Sequence, residues 1–273
     1  MTREWPDRVL VFIPAYNEEL CIRQVVVDVQ DVVPHADVLV VDDGSADNTS
    51  AVARAAGAMV VRHPYNLNIG GTVQTGMKFA LRNNYNLVLR VDGDGQHDAT
   101  ELPILYDAMV AQQADAVFGS RFLGTEADMQ IPFVRRIGIT TFATLVTLIT
   151  RSKATDTTSG FCVLNWRAVT ALAKYLPQDY PEVEGRVILY KAGLKTIEVP
   201  AQMRSRMAGV SSINNWRSIY YALKVSVAVV ISALKDIPVL PKELTHDSSR
   251  TAHRRYPLQP VAVVGDGLPD TEA

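Results

Sequence analysis

Short apolar runs separated by longer, partly apolar segments set the rhythm of the first half of the chain. Val9 to Ile13 (VLVFI), Val38 to Val41 (VLVV), Ala58 to Arg62, Leu87 to Val91 (LVLRV) and Asp115 to Phe118 each read as a strand, being short and mostly β-branched or apolar. Leu20 to Val33 has apolar residues on most turns and reads as a helix. Glu18 and Glu19 are placed in its first turn, where the helix dipole favours acids, and Pro34 ends it. DNTSAVARAAG reads as a short helix with Gly57 as its C-cap. Gly70 to Arg82 and Glu101 to Gln113 complete the helices of this half. Strands alternating with helices at this spacing predict right-handed βαβ units and a mainly parallel sheet, an α/β fold with helices on both faces.

The second half has a different texture. Ile137 to Ile149 is a 13-residue stretch without a charge, flanked by Arg135, Arg136, Arg151 and Lys153. DTTSGF leads into a strand, Cys162 to Asn165. Pro181 to Ala192 reads as a helix closed by Gly193, and Thr196 to Val199 as a strand. RSRMAGVSSINN is a basic loop, and Ile219 to Leu234 is a long apolar helix interrupted by Lys224. From Lys242 onward the chain is polar and is expected to be a disordered tail.

Composition narrows the function classes. The 273 residues suffice for one large α/β domain plus a tail, and 48% apolar residues support a full core. A net charge of −2 gives no reason to expect nucleic acid. Cys21 and Cys162 lie far apart in sequence, which fits a reducing compartment better than a disulfide scaffold. Met1 to Pro14 lacks the apolar core and cleavage site of a secretory signal, so none is expected. No stretch reaches the roughly 18 to 20 apolar residues of a spanning helix.

The candidate chemistry sits at the strand ends, where open α/β sheets bind ligands. Three of these ends carry polar clusters: PAYNEE, DDGS and DGDGQH. In the last, Asp92 and Asp94 are spaced i, i+2 around Gly93, so both carboxylates can turn to one point if the backbone bends. Hard oxygen ligands of this kind suit Mg²⁺ or Mn²⁺ shared with substrate phosphates. On this segment alone a polar Gly-Asp turn would serve equally well. The recurrence of polar clusters on other strand ends favours a site. The glycines of NLNIGG lack the spacing of a dinucleotide fingerprint or a P-loop.

Taken in order, IPAYNEE, VVDDGSADNT, NLNIGG, VDGDGQHD, GSRF, DTTSGF and the RxxGxSS-like loop Arg206 to Ser212 resemble the inverting family-two glycosyltransferases with a GT-A fold. The similarity is greatest to the branch containing dolichol-phosphate mannose synthases and bacterial polyprenyl-phosphate glycosyltransferases, and it spans about Val9 to Ile213. The resemblance implies a catalytic domain over residues 1–213, an apolar, membrane- or partner-associated helix over 214–241 and a tail over 242–273. It implies that Pro14, Ala15, Tyr16 and Glu18 line a nucleotide pocket and that Asp43 contacts the base. Asp92 is placed near the donor ribose and the metal. Asp94 is the main metal ligand, with Gln96 a further one. Arg121 would meet acceptor or donor phosphate, and Arg206 would close over the site. Lipid-linked relatives often carry Lys at the end of that loop, where this chain has Ser212.

The residue types agree with that chemistry. A divalent metal on Asp94 and an arginine can stabilise charge on a departing nucleoside diphosphate. A lipid phosphate acceptor is already ionised and needs no general base. A sugar hydroxyl would need one, for which Glu182 and Glu184 are the candidates. His97 is expected to be a structural partner of its loop, since Mg²⁺ and Mn²⁺ favour oxygen. Met203, Met207, Trp166 and Trp216 are expected to pack in the core or at an interface. The expected reaction is therefore transfer of a sugar from a nucleotide diphosphate sugar to a polyprenyl phosphate, with a saccharide hydroxyl in envelope polysaccharide as the alternative acceptor. A non-catalytic sugar-nucleotide-binding subunit is opposed by the intact Asp92, Asp94 and Arg121. A nucleotidyltransferase is opposed by the acidic PAYNEE. Both apolar helices would lie on the cytoplasmic face of a membrane, with a membrane protein as a further partner, or else pack in the core or against a second copy.

Overall fold

The computed structural model describes residues 4–123, 133–204 and 215–241, with side chains described outside 133–139 and 215–223. The strands are β1 (Val9–Ala15), β2 (Asp37–Asp42), β3 (Met59–Arg62), β4 (Leu87–Arg90), β5 (Ala116–Ser120), β6 (Cys162–Asn165) and β7 (Thr196–Pro200). The helices are α1 (Ile22–Val32), α2 (Thr49–Ala55), α3 (Asn68–Arg82), α4 (Leu102–Gln112), α5 (Phe133–Thr150), α6 (Trp166–Tyr175), α7 (Pro181–Lys191) and α8 (Asn215–Leu234). The strands form one sheet in the order β3-β2-β1-β4-β6-β5-β7. All pairings are parallel except those of β6, which runs antiparallel between β4 and β5.

Strand periodicity divides the core between the two faces of the sheet. Val9, Val11 and Ile13 of β1 face α1 and α4, where Ile22, Val26, Leu102 and Leu105 are buried with them. Leu10 and Phe12 face the other way, against Val73 and Met77 of α3 and Leu172 of α6. Burial on both faces explains why this strand reads as a continuous apolar run rather than an alternating one. Both cysteines are buried, Cys162 within the second of these clusters.

A third cluster joins Phe142 and Val146 of α5, Val183 and Val187 of α7, and Val225 and Val229 of α8. One face of each long apolar helix is therefore core. Beyond α8, Ile237 and Leu240 return to pack in the second cluster. Leu148, Val227, Val230, Ile231 and Leu234 remain exposed on the outer side.

The structure refines three expectations. Helix α1 begins after Glu18 and Glu19, so neither acid lies in its first turn. Their backbone N–H groups instead donate to Thr49 Oγ1 (2.8 Å) and to the Asp47 carboxylate (3.1 Å). Second, α6 follows β6 at once; Asn165, read as the strand end, also caps that helix by accepting from the Ala168 N–H at 3.0 Å. Third, Glu184, one of the two candidate bases, lies in the first turn of α7 and is only 3% exposed.

Candidate active site

The loops leaving β1, β2 and β4 enclose a cavity of about 440 Å³ at the carboxyl edge of the sheet. Its wall holds Pro14, Ala15, Tyr16, Glu18, Asp43, Asp92 and Asp94, together with Asn66, Asn68, Ile69, Thr72 and Gly93. The first two loops are stitched to each other. Asn17 N–H donates to Ser45 Oγ (2.9 Å), and Ala46 N–H donates to Asn17 Oδ1 (2.8 Å). Asp42, fully buried under this junction, accepts from Ser45 N–H at 2.9 Å and from the hydroxyls of Ser45 and Ser50. The sequence DDGS thus uses its first aspartate to build the loop and turns its second, Asp43, to the cavity.

At one end of the cavity Asp43 is held from behind. His63 Nδ1 lies 2.7 Å from Asp43 Oδ1, and the Leu67 N–H donates to the same oxygen at 2.8 Å. Tyr16, 48% exposed, forms part of the rim. The NLNIGG loop supplies the adjoining wall through Asn66, Asn68 and Ile69, so the site includes residues that the spacing of its glycines did not suggest. Gly70 is needed for packing rather than for phosphate. A Cβ there would lie 1.8 Å from the Gln178 carbonyl oxygen, where the start of α3 meets the segment before α7.

At the other end stand the two carboxylates of DGDGQHD. Asp94 accepts from the Gln96 N–H (3.0 Å), and Asp92 is met by Arg90 Nη2 at 3.2 Å. Burial alone would raise the Asp92 carboxyl, but the charge of Arg90 outweighs it and holds the group below the usual carboxylate range. Arg90 is itself buried and gives its shortest bond, 2.7 Å, to Glu182 of α7. Gly160 of DTTSGF makes room for this pair, since a Cβ there would meet the Arg90 guanidinium at 2.6 Å and Asp92 at 2.9 Å. His97 Nδ1 accepts the Asp92 N–H at 3.1 Å, and its ring stacks on Phe161 at 4.9 Å. Burial pushes the imidazole down, which keeps it neutral for that acceptor role. His97 is thus a brace for the loop, as expected, and Met203 pairs with it through an isolated backbone bridge.

The remaining expected residues are distributed as follows. Arg121 is 8% exposed at its side chain and is clamped by Asp156, with Nε–Oδ2 2.6 Å and Nη2–Oδ1 2.7 Å, and by Thr158 Oγ1. The Nη1 N–H groups of Arg121 have no hydrogen-bond partner among the described residues. Burial would raise the Asp156 carboxyl, but its bonds to Arg121 hold it low and ionised. Gln96 is not in the cavity wall; its carbonyl accepts the Arg204 N–H at 2.8 Å. Arg204 donates to Asp98 at 2.8 Å, away from the cavity wall. Glu184 accepts from Ser232 Oγ of α8 at 2.6 Å and from the Tyr180 N–H, and it is not in the cavity wall. Arg206, Met207, Ser212 and the tail lie outside the described residues, as do the side chains of Arg135, Arg136 and Trp216.

The donor set fits a hard divalent ion that takes most of its ligands from elsewhere. Asp94 and Asp92 are part-exposed carboxylates in the cavity, and no group of three or more His, Cys, Asp or Glu forms a closed cage among the described residues. Mg²⁺ commonly sits on one or two carboxylates and completes its shell with phosphate and water.

The sequence profile of glycosyl transferase family 2 matches residues 10–172, which include the three strand-end loops, Arg121 and DTTSGF. The chain belongs to glycosyl transferase family 2. Among its relatives, an undecaprenyl-phosphate mannosyltransferase of Micrococcus luteus is 30% identical over 217 residues, covering 76% of this chain and 88% of that protein. A UDP-N-acetylglucosamine–dolichyl-phosphate N-acetylglucosaminyltransferase of Methanococcus voltae is 26% identical over 211 residues, covering 70% and 84%. The fold is shared with glucosyl-3-phosphoglycerate synthase of Mycobacterium tuberculosis, solved with Mn²⁺, UDP and glucosyl-3-phosphoglycerate. That similarity has a TM-score of 0.61 at 18% identity and covers 85% of this chain and 81% of the other. The family-two transferase fold expected from the motifs is therefore the fold observed, with β6 the one reversed strand among the described residues.

Proposed function

We propose that this family-two transferase moves a sugar, with inversion, from a nucleotide diphosphate sugar to a polyprenyl phosphate. The observation that carries the reading is the convergence of Pro14, Ala15, Tyr16, Glu18, Asp43, Asp92 and Asp94 on one cavity. The base and ribose would occupy the end near Asp43 and Tyr16, with the diphosphate toward Asp94. Mg²⁺ or Mn²⁺ would be held by Asp94, with Asp92 and Gln96 as further candidates, and would neutralise charge on the diphosphate. Arg90 keeps Asp92 ionised for this purpose. Arg121, oriented by Asp156, would present its Nη1 donors to a phosphate, and Arg206 would approach from the late loop.

The choice of acceptor follows from the carboxylates. A sugar hydroxyl must lose a proton as it attacks, so a saccharide acceptor requires a base within reach. Glu184 is spent on Ser232 and the Tyr180 N–H, and Glu182 is spent on Arg90. A phosphate oxygen needs no base, and it attacks the anomeric carbon from the face opposite the departing diphosphate. The relatives named for undecaprenyl and dolichyl phosphate support the same acceptor class.

Such an acceptor places the site at a bilayer surface. No helix among the described residues is long and apolar enough to cross a membrane. The exposed Val227, Val230, Ile231 and Leu234 of α8 and Leu148 of α5 suit a peripheral, cytoplasmic-face contact, or a contact with a membrane-protein partner. The deciding experiment offers the enzyme nucleotide diphosphate sugars and Mn²⁺ with either undecaprenyl phosphate or an oligosaccharide. The expected product is a lipid-linked sugar monophosphate, formed still by Glu184→Gln. Extension of the oligosaccharide alone, abolished by Glu184→Gln, would replace this reading with the saccharide one.

A further inference from the structure

The donor's base can be read from the way Asp43 is held, an inference that rests on the nucleotide-sugar reading above. Asp43 lies in the cavity wall with its side chain 4% exposed. Its Oδ1 faces two donors, His63 Nδ1–H at 2.7 Å and the Leu67 N–H at 2.8 Å. These fill both lone pairs of that oxygen. The imidazole is fixed at its other nitrogen too, where Nε2 lies 2.9 Å from Thr75 Oγ1 of α3. Oδ2 has no hydrogen-bond partner among the described residues. The carboxylate therefore offers the cavity one acceptor oxygen rather than two.

We propose that His63, by occupying Oδ1, makes the base pocket selective for a pyrimidine with a ring N–H, uracil or thymine, over guanine. Uracil presents a single N3–H between two carbonyls, and one carboxylate oxygen satisfies it. Guanine presents N1–H and the N2 amino group side by side, a pair suited to a carboxylate with both oxygens free. With Oδ1 withdrawn, one of these donors enters a closed site without an acceptor. Adenine and cytosine turn a ring-nitrogen acceptor to the same edge and meet the carboxylate unfavourably. The neighbouring wall agrees with a base flanked by carbonyls. Asn66 uses its Oδ1 to accept the Asn68 N–H at 2.8 Å, which leaves its amide N–H₂ as the donor available to the cavity.

Calorimetric titration with UDP, TDP and GDP in the presence of Mn²⁺ tests this on the whole protein. An unsatisfied buried donor corresponds to roughly a tenfold to hundredfold loss of affinity. UDP and TDP should therefore bind the wild type at least about tenfold more tightly than GDP. His63→Ala should weaken UDP and bring the UDP-to-GDP ratio toward one, because one lone pair of Oδ1 is freed while the Leu67 N–H keeps the other. His63→Asn, which restores an N–H donor at the position of Nδ1, should recover the ratio. A purely structural histidine would weaken all three nucleotides alike. Equal or tighter binding of GDP by the wild type, or an unchanged ratio in a folded His63→Ala, overturns the base assignment while leaving the nucleotide-sugar reading in place. Binding of none of the three by the wild type overturns both.

Discussion

Replacing Arg90 by Met should destabilise the protein more than any change to an exposed arginine. The substitution keeps the aliphatic stem in the sheet and removes the cation between Asp92 and Glu182. Breaking a buried ion pair from one side costs about 3–5 kcal/mol, because the stranded charge stays desolvated. Asp92 is 33% exposed at its side chain and can take on water, so it adds little; Glu182 is 16% exposed and dominates the cost. The lower end, about 3 kcal/mol, is therefore the expected loss at pH 7, a fall in Tm of roughly 6–12 °C for a domain of this size. The sign with pH follows from the same groups. In the wild type the Asp92 carboxyl is held low, so its contribution is present above the unfolded pKa of about 4 and lost as pH falls below it. In Arg90→Met the largest charge opposing burial at Asp92 is gone, so that contribution shrinks, and the deficit against wild type should be largest near neutrality and smallest toward pH of about 4, where the carboxyl is protonated in the unfolded chain. Urea unfolding at both pH values, with Glu182→Gln added to Arg90→Met, measures this. The double variant should recover part of the loss. A single-variant loss under about 1 kcal/mol, or a double variant that loses the sum of the two singles, would refute the reasoning.

Gly70→Ala should be poorly tolerated even though the residue lies in a helix, where alanine normally stabilises; its Cβ would meet the Gln178 backbone oxygen at 1.8 Å. Thermal unfolding should show a loss of about 1–3 kcal/mol, as for other overpacked sites, and a gain in Tm would contradict the close approach. The membrane contact should appear as co-sedimentation with anionic vesicles that weakens when Val230, Ile231 and Leu234 are changed together to Ser. If the wild type stays in the supernatant at low salt, the outer face of α8 serves another partner.

Much of this architecture is legible in local sequence because the chain marks its buried strands with apolar runs and its ligand edge with aspartate and glycine. The reversal of β6 is not, because strand direction is set by pairing with β4 and β5, which lie far away in sequence. Helix α6 is hidden by its length of 10 residues and by Asn165, which serves the strand and the cap together. In the site, spacing identifies Asp92, Asp94 and Asp43, since each stands at a strand end. Arg90 is submerged in an apolar run, and its partner Glu182 is 92 residues away. The same distance problem conceals the clamp of Arg121 by Asp156 and the diversion of Glu184 to Ser232. The basic late loop RSRMAGVSSINN does not reveal that Arg204 turns to Asp98 rather than to the cavity.

In the proposed function Asp94 holds the metal that fixes a nucleoside diphosphate in the cavity. Calorimetric binding of UDP with and without Mn²⁺, in the wild type and in Asp94→Ala, tests it most directly. The prediction is binding that depends on Mn²⁺ in the wild type and disappears in an Asp94→Ala variant with unchanged thermal stability. Undiminished UDP binding by Asp94→Ala, or wild-type binding indifferent to excess EDTA, would contradict it.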